Sequence, residues 1–279
     1  MSRQREKLLI LTIMALVIAS IAFLSYRMLM KMRSRNEAPM ITCASDELRV
    51  SVKATSEDLL TGVTAMDAED GDITSSVMVG SISSFYEKGK CEITYVVFDS
   101  GNKSATMKRT LYYTDYHSPR FSLADDLIFQ TGEAVAPLKN FSAYDCIDGN
   151  ITNRISMTWL DTEAAARAAE FRVINSYGDV SSIIVNISTQ EKSSQSTPVI
   201  KLKSYLEYIE PGEMINPLDY IVSITVGRNV YSVGEYGTDN IYYDMSRFDG
   251  SVPGVYRIGI YCENAEHIGE TELLVVVED

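Results

Sequence analysis

The stretch AMDAEDGDIT, residues 65–74, returns as AYDCIDGNIT at residues 143–152. Superposing the two pairs Ala65 with Ala143, Asp67 with Asp145, Asp70 with Asp148, Gly71 with Gly149 and Thr74 with Thr152. Repetition sets the architecture, because a unit that recurs must be read as a domain before any other pattern is weighed. Working outward, each copy follows a proline that opens a run of β-formers: Pro39-Met40-Ile41 and Pro119-Arg120-Phe121, with Pro198-Val199-Ile200 as a third. A proline at the entry to an edge strand blunts it, which suits the start of a domain. Gly132-Glu133…Pro137-Leu138 also matches Gly212-Glu213…Pro217-Leu218, and each repeat closes on strand, turn and strand at 93–113, 171–188 and 256–277.

From Pro39 onward, short runs rich in Val, Ile, Thr and Tyr alternate with Gly, Asp, Asn and Ser clusters, an all-β signature. The exception is DTEAAARAAE, 161–170, whose alanines predict a short helix. The polar segment EKSSQST, 191–197, predicts a flexible link between repeats two and three, whereas the short 115–118 predicts a firmer one between repeats one and two.

Residues 8–26, LLILTIMALVIASIAFLSY, are apolar and uncharged, long enough as a helix to cross a bilayer, and are flanked by bases. An apolar run of this length exceeds the usual core of a cleaved signal peptide, so an uncleaved signal anchor is expected. Three bases precede it and four follow, so charge alone leaves its orientation open.

The net charge of −13 conceals an asymmetry: the first 35 residues carry seven bases and one acid, leaving 18 bases against 37 acids beyond them. A surface that acidic repels phosphate backbones and argues against nucleic-acid partners. The four cysteines form no CxxC pair, so neither a zinc ribbon nor a thioredoxin-type centre is indicated. No HExxH, GxSxG or P-loop pattern occurs, and His117 and His267 have no evident catalytic partner in sequence.

The order of proline-led strand, Gly-Glu…Pro-Leu, AMDAEDGDIT and FDSGN (98–102) resembles the bacterial immunoglobulin-like module of pesticidal crystal proteins and surface proteins, a relative of the hyalin repeat. The resemblance spans about 37–278. It implies seven-stranded β-sandwiches arrayed on a cell surface, without catalysis. Repeat three departs most, with Thr225 read at the position of Asp67 and Asp145.

Three candidate sites follow. Asp67, Glu69, Asp70 and Asp72, with Asp145 and Asp148, offer closely spaced carboxylates of the kind calcium takes. The competing reading is a turn, since Asp-Gly favours one, and Asp72 becomes Asn150 while Glu69 becomes Ile147 in the second copy. Cys43 and Cys91 would staple repeat one if their Cα atoms approach within about 7 Å. Tyr231, Tyr236, Tyr242 and Tyr243 cluster in the divergent third repeat, where tyrosine makes contact surface for protein or carbohydrate.

The expectation is therefore an all-β protein: three tandem Ig-like β-sandwich domains at 37–115, 117–190 and 198–279. They follow a cytoplasmic tail (1–7), a transmembrane helix (8–26) in the plasma-membrane bilayer and a basic segment (27–36). Its expected role is non-enzymatic binding or spacing outside the cell, with no cofactor unless calcium. The alternatives are a structural subunit of an envelope complex, contacting partners through the span, and an accessory to a surface enzyme.

Overall fold

A computed structural model describes residues 2–33, 37–160, 167–191 and 194–278. Helix α1, Ser2–Arg33, contains neither glycine nor proline and runs unbroken for 32 residues. Its segment Lys7–Lys31 is long and apolar enough to cross a membrane, and none of it is buried against protein. At 1.5 Å per residue its 25 residues reach about 38 Å, more than the roughly 30 Å hydrocarbon layer.

Beyond it, the described residues form twenty-one strands in three sets of seven. The first set is β1 (Met40–Cys43), β2 (Glu47–Val50), β3 (Val63–Asp67), β4 (Gly71–Asp72), β5 (Met78–Ile82), β6 (Lys90–Phe98) and β7 (Ser104–Tyr113). The second is β8 (Arg120–Leu123), β9 (Ile128–Gln130), β10 (Phe141–Asp145), β11 (Gly149–Asn150), β12 (Ser156–Leu160), β13 (Arg167–Ile174) and β14 (Val180–Gln190). The third is β15 (Val199–Leu202), β16 (Leu206–Ile209), β17 (Ile221–Val226), β18 (Asn229–Tyr231), β19 (Ile241–Asp244), β20 (Gly254–Glu263) and β21 (Ile268–Val277).

Each set builds the same pair of sheets. One is three-stranded, β1-β3-β4 and its counterparts; the other is four-stranded, β2-β7-β6-β5 and its counterparts. In every set the second strand pairs in parallel with the last, while the remaining neighbours are antiparallel. These are immunoglobulin-like sandwiches, and the third repeat, least legible in sequence, has the topology of the other two.

Side-chain alternation explains the sheets. Along β6, Cys91, Ile93, Tyr95 and Val97 point inward with no exposure while their neighbours stay half-exposed. Burying such an aliphatic side chain contributes about 1.5–3 kcal/mol. Phe121, Phe141 and Phe171 fill the second core, the latter two with centroids 4.0 Å apart, and Ile258, Ile260, Leu273 and Val275 fill the third.

The chain divides into two compact units, Met1–Asp115 and Tyr116–Asp279, so the second and third sandwiches share one unit. Two edge strands meet there: Tyr205 N donates to Leu123 O at 3.2 Å, and Phe121 N donates to Tyr208 Oη at 2.8 Å. Arg120 crosses to Glu278, Nε to Oε1 at 2.9 Å, and its guanidinium lies 5.4 Å from the Tyr208 ring centre. Thr271 Oγ1 donates to Asp126 Oδ2 at 3.2 Å, and the two apolar cores are continuous. Part of the flexible link expected at 191–197, residues 192–193, lies outside the described residues, but the two sandwiches on either side of it dock, each covering an exposed edge of the other.

The predicted helix at 161–170 is corrected in part. Residues 161–166 lie outside the described residues, but 167–170 are strand, paired with both β12 and β14. Burial of Ala168 and Ala169 in the sheet overrides alanine's helical preference.

Candidate functional site

The repeated acidic stretch forms one end of each of the first two sandwiches, where in the first the β3–β4 turn meets the β6–β7 hairpin. Asp67 Oδ1 accepts the amides of Glu69 and Asp70 at 2.8 and 2.9 Å, and Gly71 takes the left-handed φ of +75° that closes the turn. Asp72 Oδ1 accepts Thr74 N, and Thr74 Oγ1 accepts Ala65 N. Asp70 then reaches across to the hairpin, accepting Ser100 N at 2.7 Å and Ser100 Oγ at 2.8 Å. Those bonds from Ser100, backbone first, hold the Asp70 carboxyl below its usual range.

The second sandwich repeats the arrangement atom for atom. Asp145 Oδ1 accepts Ile147 N and Asp148 N, Gly149 has φ +72°, and Thr152 closes on Ala143. Asp148 accepts Ser176 N and Oγ, and also pairs with Arg154 Nη1 at 2.6 Å. Desolvation pushes the Asp148 carboxyl up, but the Ser176 and Arg154 contacts outweigh it and hold it low.

Of the acids singled out for calcium, Asp67, Asp70, Asp72, Asp145 and Asp148 each engage at least one carboxylate oxygen in the turn or the hairpin. Glu69 contributes only its amide to this network. No group of three His, Cys, Asp or Glu side chains among the described residues is placed to hold a metal. The loop is a latch, and its hairpin partners Ser100 and Ser176 carried no signal beyond their place in the second motif.

At the centre of the latch, Asn175 Nδ2 donates to Asp145 Oδ2 at 3.1 Å and to Tyr116 Oη at 2.9 Å, and Tyr116 Oη donates to Asp179 at 2.6 Å. Burial, then the Asp179 contact, raises the Tyr116 phenol well above its ordinary value. The register places Val226, not Thr225, at the position of Asp67 and Asp145: Ile41, Phe121 and Ile200 each follow a repeat proline by two residues and pair with Ala65, Ala143 and Ile224. Asn264 likewise matches Asp99 and Asn175 at the head of the hairpin.

Where the third sandwich loses its acid, it opens a groove of about 530 Å³ lined by Val226, Tyr231, Glu235, Tyr236, Asn240 and Glu263, with Asn264 and Ala265 at its edge. Tyr231 and Tyr236 meet edge to face, centroids 5.8 Å apart. Helix α2, Ser56–Leu59, lies in the first sandwich; the corresponding short turn here is α3, Val233–Tyr236. Ser232 caps α3 and grips the Glu235 carboxylate, which its backbone and hydroxyl bonds hold below the usual range. Tyr236 Oη donates to Glu263 O at 2.8 Å, Asn240 Nδ2 to Tyr236 O at 3.1 Å, and Asn264 Nδ2 to Ser196 O at 2.7 Å. The groove is therefore fixed by its own bonds, while the Glu263 carboxylate forms no ion pair among the described residues.

The four tyrosines read as one cluster separate. Tyr231 and Tyr236 share the groove, whereas Tyr242 and Tyr243 alternate on β19, both 43% exposed. Tyr242 stacks on Tyr261, centroids 5.1 Å and planes 15° apart. Gly259 gives that pair its seat, since a Cβ there would lie 2.6 Å from Tyr261 Oη. Only the register, which sets Tyr242 opposite Tyr261, shows this partner.

No disulfide joins Cys43 to Cys91 in this structure, in place of the expected staple. Cys43 sits at the end of a strand in the three-stranded sheet and Cys91 in the facing four-stranded one. Desolvation raises Cys91 to about 11, which makes it an inert core residue at neutral pH.

No family model and no curated protein matches this chain. Among solved structures it is similar to CBM51-2 in complex with GlcNAc and INT domains from Clostridium perfringens ZmpB, at 19% identity, 54% of this chain, 41% of that one and TM-score 0.23. A protocadherin gammaB7 EC3-6 cis-dimer structure (12%, 87% and 74%, TM-score 0.18) and the Ig1-2 module of Drosophila receptor protein tyrosine phosphatase DLAR (12%, 87% and 100%, TM-score 0.20) are also similar. At such TM-scores the likeness carries no argument about function.

Proposed function

We propose that this chain is a non-enzymatic, single-pass surface protein of the bacterial immunoglobulin-like type, held in the plasma membrane by α1, with its sandwiches outside the cell. Its third sandwich binds carbohydrate through the groove at Tyr231 and Tyr236. The observation that carries the reading is the conversion of a closed acidic latch into an open, tyrosine-walled groove at the same place in the fold. Two aromatic rings beside a carboxylate and amides supply both the apolar face and the directional hydrogen bonds that saccharide recognition needs.

The test is retention of the full chain, in detergent, on a panel of immobilised oligosaccharides. Selective retention that falls at least tenfold in Tyr231→Ala and Tyr236→Ala, but not in Tyr242→Ala, supports the reading. Uniform absence of retention, or loss only in Tyr242→Ala, contradicts it.

A further inference from the structure

At the last pair of each closing hairpin the three sandwiches differ in charge. Phe98 pairs with Ser104 in the first and Ile174 with Val180 in the second, and both apolar side chains stand exposed. The third sandwich puts Glu263 opposite Ile268 at that position, where it lines the tyrosine groove. Glu235 lines the same groove, and no Lys, Arg or His is among the lining residues. The groove therefore carries two negative charges beside its two aromatic rings.

Neither carboxylate is neutralised by the protein. Ser232 N and Oγ both donate to Glu235 Oε2, at 2.8 and 2.7 Å, and hold its carboxyl below the usual range. No ion pair involves Glu235 or Glu263 among the described residues. Tyr231 and Tyr236 cross at 67°. An aromatic face attracts a cation through its quadrupole, and a carboxylate beside it adds a full opposite charge. The wider field has the same sign, since 18 bases stand against 37 acids beyond residue 35. A neutral sugar meets only the rings and the amides of this groove, and a uronate or sulfated sugar meets like charge. A sugar carrying an ammonium group can set its ring against tyrosine and its charge against carboxylate.

We propose that the groove of the third sandwich selects saccharides bearing a free amino group, with β-1,4-linked glucosamine as the type, over N-acetylated, neutral and acidic ones. This selectivity rests on the carbohydrate reading of the groove and adds the charge of its ligand. Tyr231 and Tyr236 take the C–H faces of the sugar rings, while Glu235 and Glu263 take the ammonium. N-acetylation removes the charge and leaves the rest of the sugar in place, so a matched pair of oligomers isolates the contribution of the two acids.

The experiment measures retention of the full chain, in detergent, on immobilised glucosamine tetramer and on its N-acetylated form, at about pH 6 and about pH 9. The sugar amine is protonated at the first and neutral at the second, whereas carboxylates keep their charge at both. The glucosamine tetramer should be retained at least tenfold more strongly at the lower pH, and the preference should collapse at the higher. Glu235→Gln and Glu263→Gln should each shrink it; glutamine at 235 can still complete the cap with Ser232. Glu270→Gln, which removes an exposed acid of β21 outside the groove, should leave it intact. Equal or stronger retention of the N-acetylated tetramer overturns the proposal. So does a preference that survives in the Glu235→Gln, Glu263→Gln double variant, or one that falls equally in Glu270→Gln. If the N-acetylated tetramer is retained equally and lost in Tyr231→Ala, the amine selectivity fails while the carbohydrate reading stands. If neither tetramer nor any member of the oligosaccharide panel is retained, both fail.

Discussion

Asn175 Nδ2 lies 3.1 Å from Asp145 Oδ2, and the equivalent positions are Asp99 and Asp67 in the first sandwich and Asn264 and Val226 in the third. The same pair of positions therefore carries three residue combinations: acid and amide, two acids, and an apolar residue with an amide. The first prediction follows from the pair that is fully satisfied. Asp145 has no exposure, so Asn175→Asp would bury a second carboxylate against it and remove a donor from Tyr116. The loss should be about 3–5 kcal/mol, the scale of an uncompensated buried charge, measured by denaturant unfolding in chelator.

The latch itself is worth less. Asp148→Ala removes the acceptor of Ser176 N, Ser176 Oγ and Arg154, and should cost about 1–3 kcal/mol. Both Asp70 and Asp148 have folded-state pKa values below their ordinary range. Their contribution is therefore complete above an unfolded value of about 3.9 and disappears as pH falls through the lower folded values. Thermal melts from pH 6 downward should show the wild type losing stability faster than Asp148→Ala, the two curves converging in strong acid.

Asp126 has the opposite sign. Burial, then repulsion from Asp125 and Glu272, raises its pKa, against the bonds from Ile128 N and Thr271. A raised carboxyl penalises the fold progressively as pH rises through the unfolded value, with the full penalty above the folded one. Asp126→Asn keeps an acceptor for Ile128 N and can donate to Thr271 Oγ1. It should raise the midpoint of the 116–279 unit at pH 7 and lose that advantage near pH 3.

Joining of the second and third sandwiches is tested at Tyr208. Its hydroxyl accepts Phe121 N across the two edges, and desolvation raises the phenol to about 12. Tyr208→Phe leaves that amide unanswered, at a cost of about 1–3 kcal/mol. Calorimetry should show residues 116–279 melting as one transition in the wild type, with the midpoint lowered in the variant. Two separate transitions in the wild type would contradict the shared core.

Much of this was legible in the residues. The paired Asp-Gly turns, the proline spacing and the alternation along β6 point directly to repeated sandwiches, because turn chemistry and period-two burial are local. The docking of β8 on β16 was not legible: Leu123 and Tyr205 are distant in sequence and neither carries a local mark of pairing. The alanines at 168–169 misled for the same reason, since sheet partners on both sides outweigh intrinsic preference. Spacing also could not show that Asp67 and Asp72 accept amides of their own loop while Asp70 reaches across to Ser100.

The most direct test of the binding claim is hydroxyl-radical footprinting of the full chain with and without the oligosaccharide retained most strongly by the panel. The account predicts that Tyr231 and Tyr236 become protected while Tyr242, Tyr243 and Tyr261 react as before. Protection of the Tyr242–Tyr261 stack with an unchanged groove would contradict it.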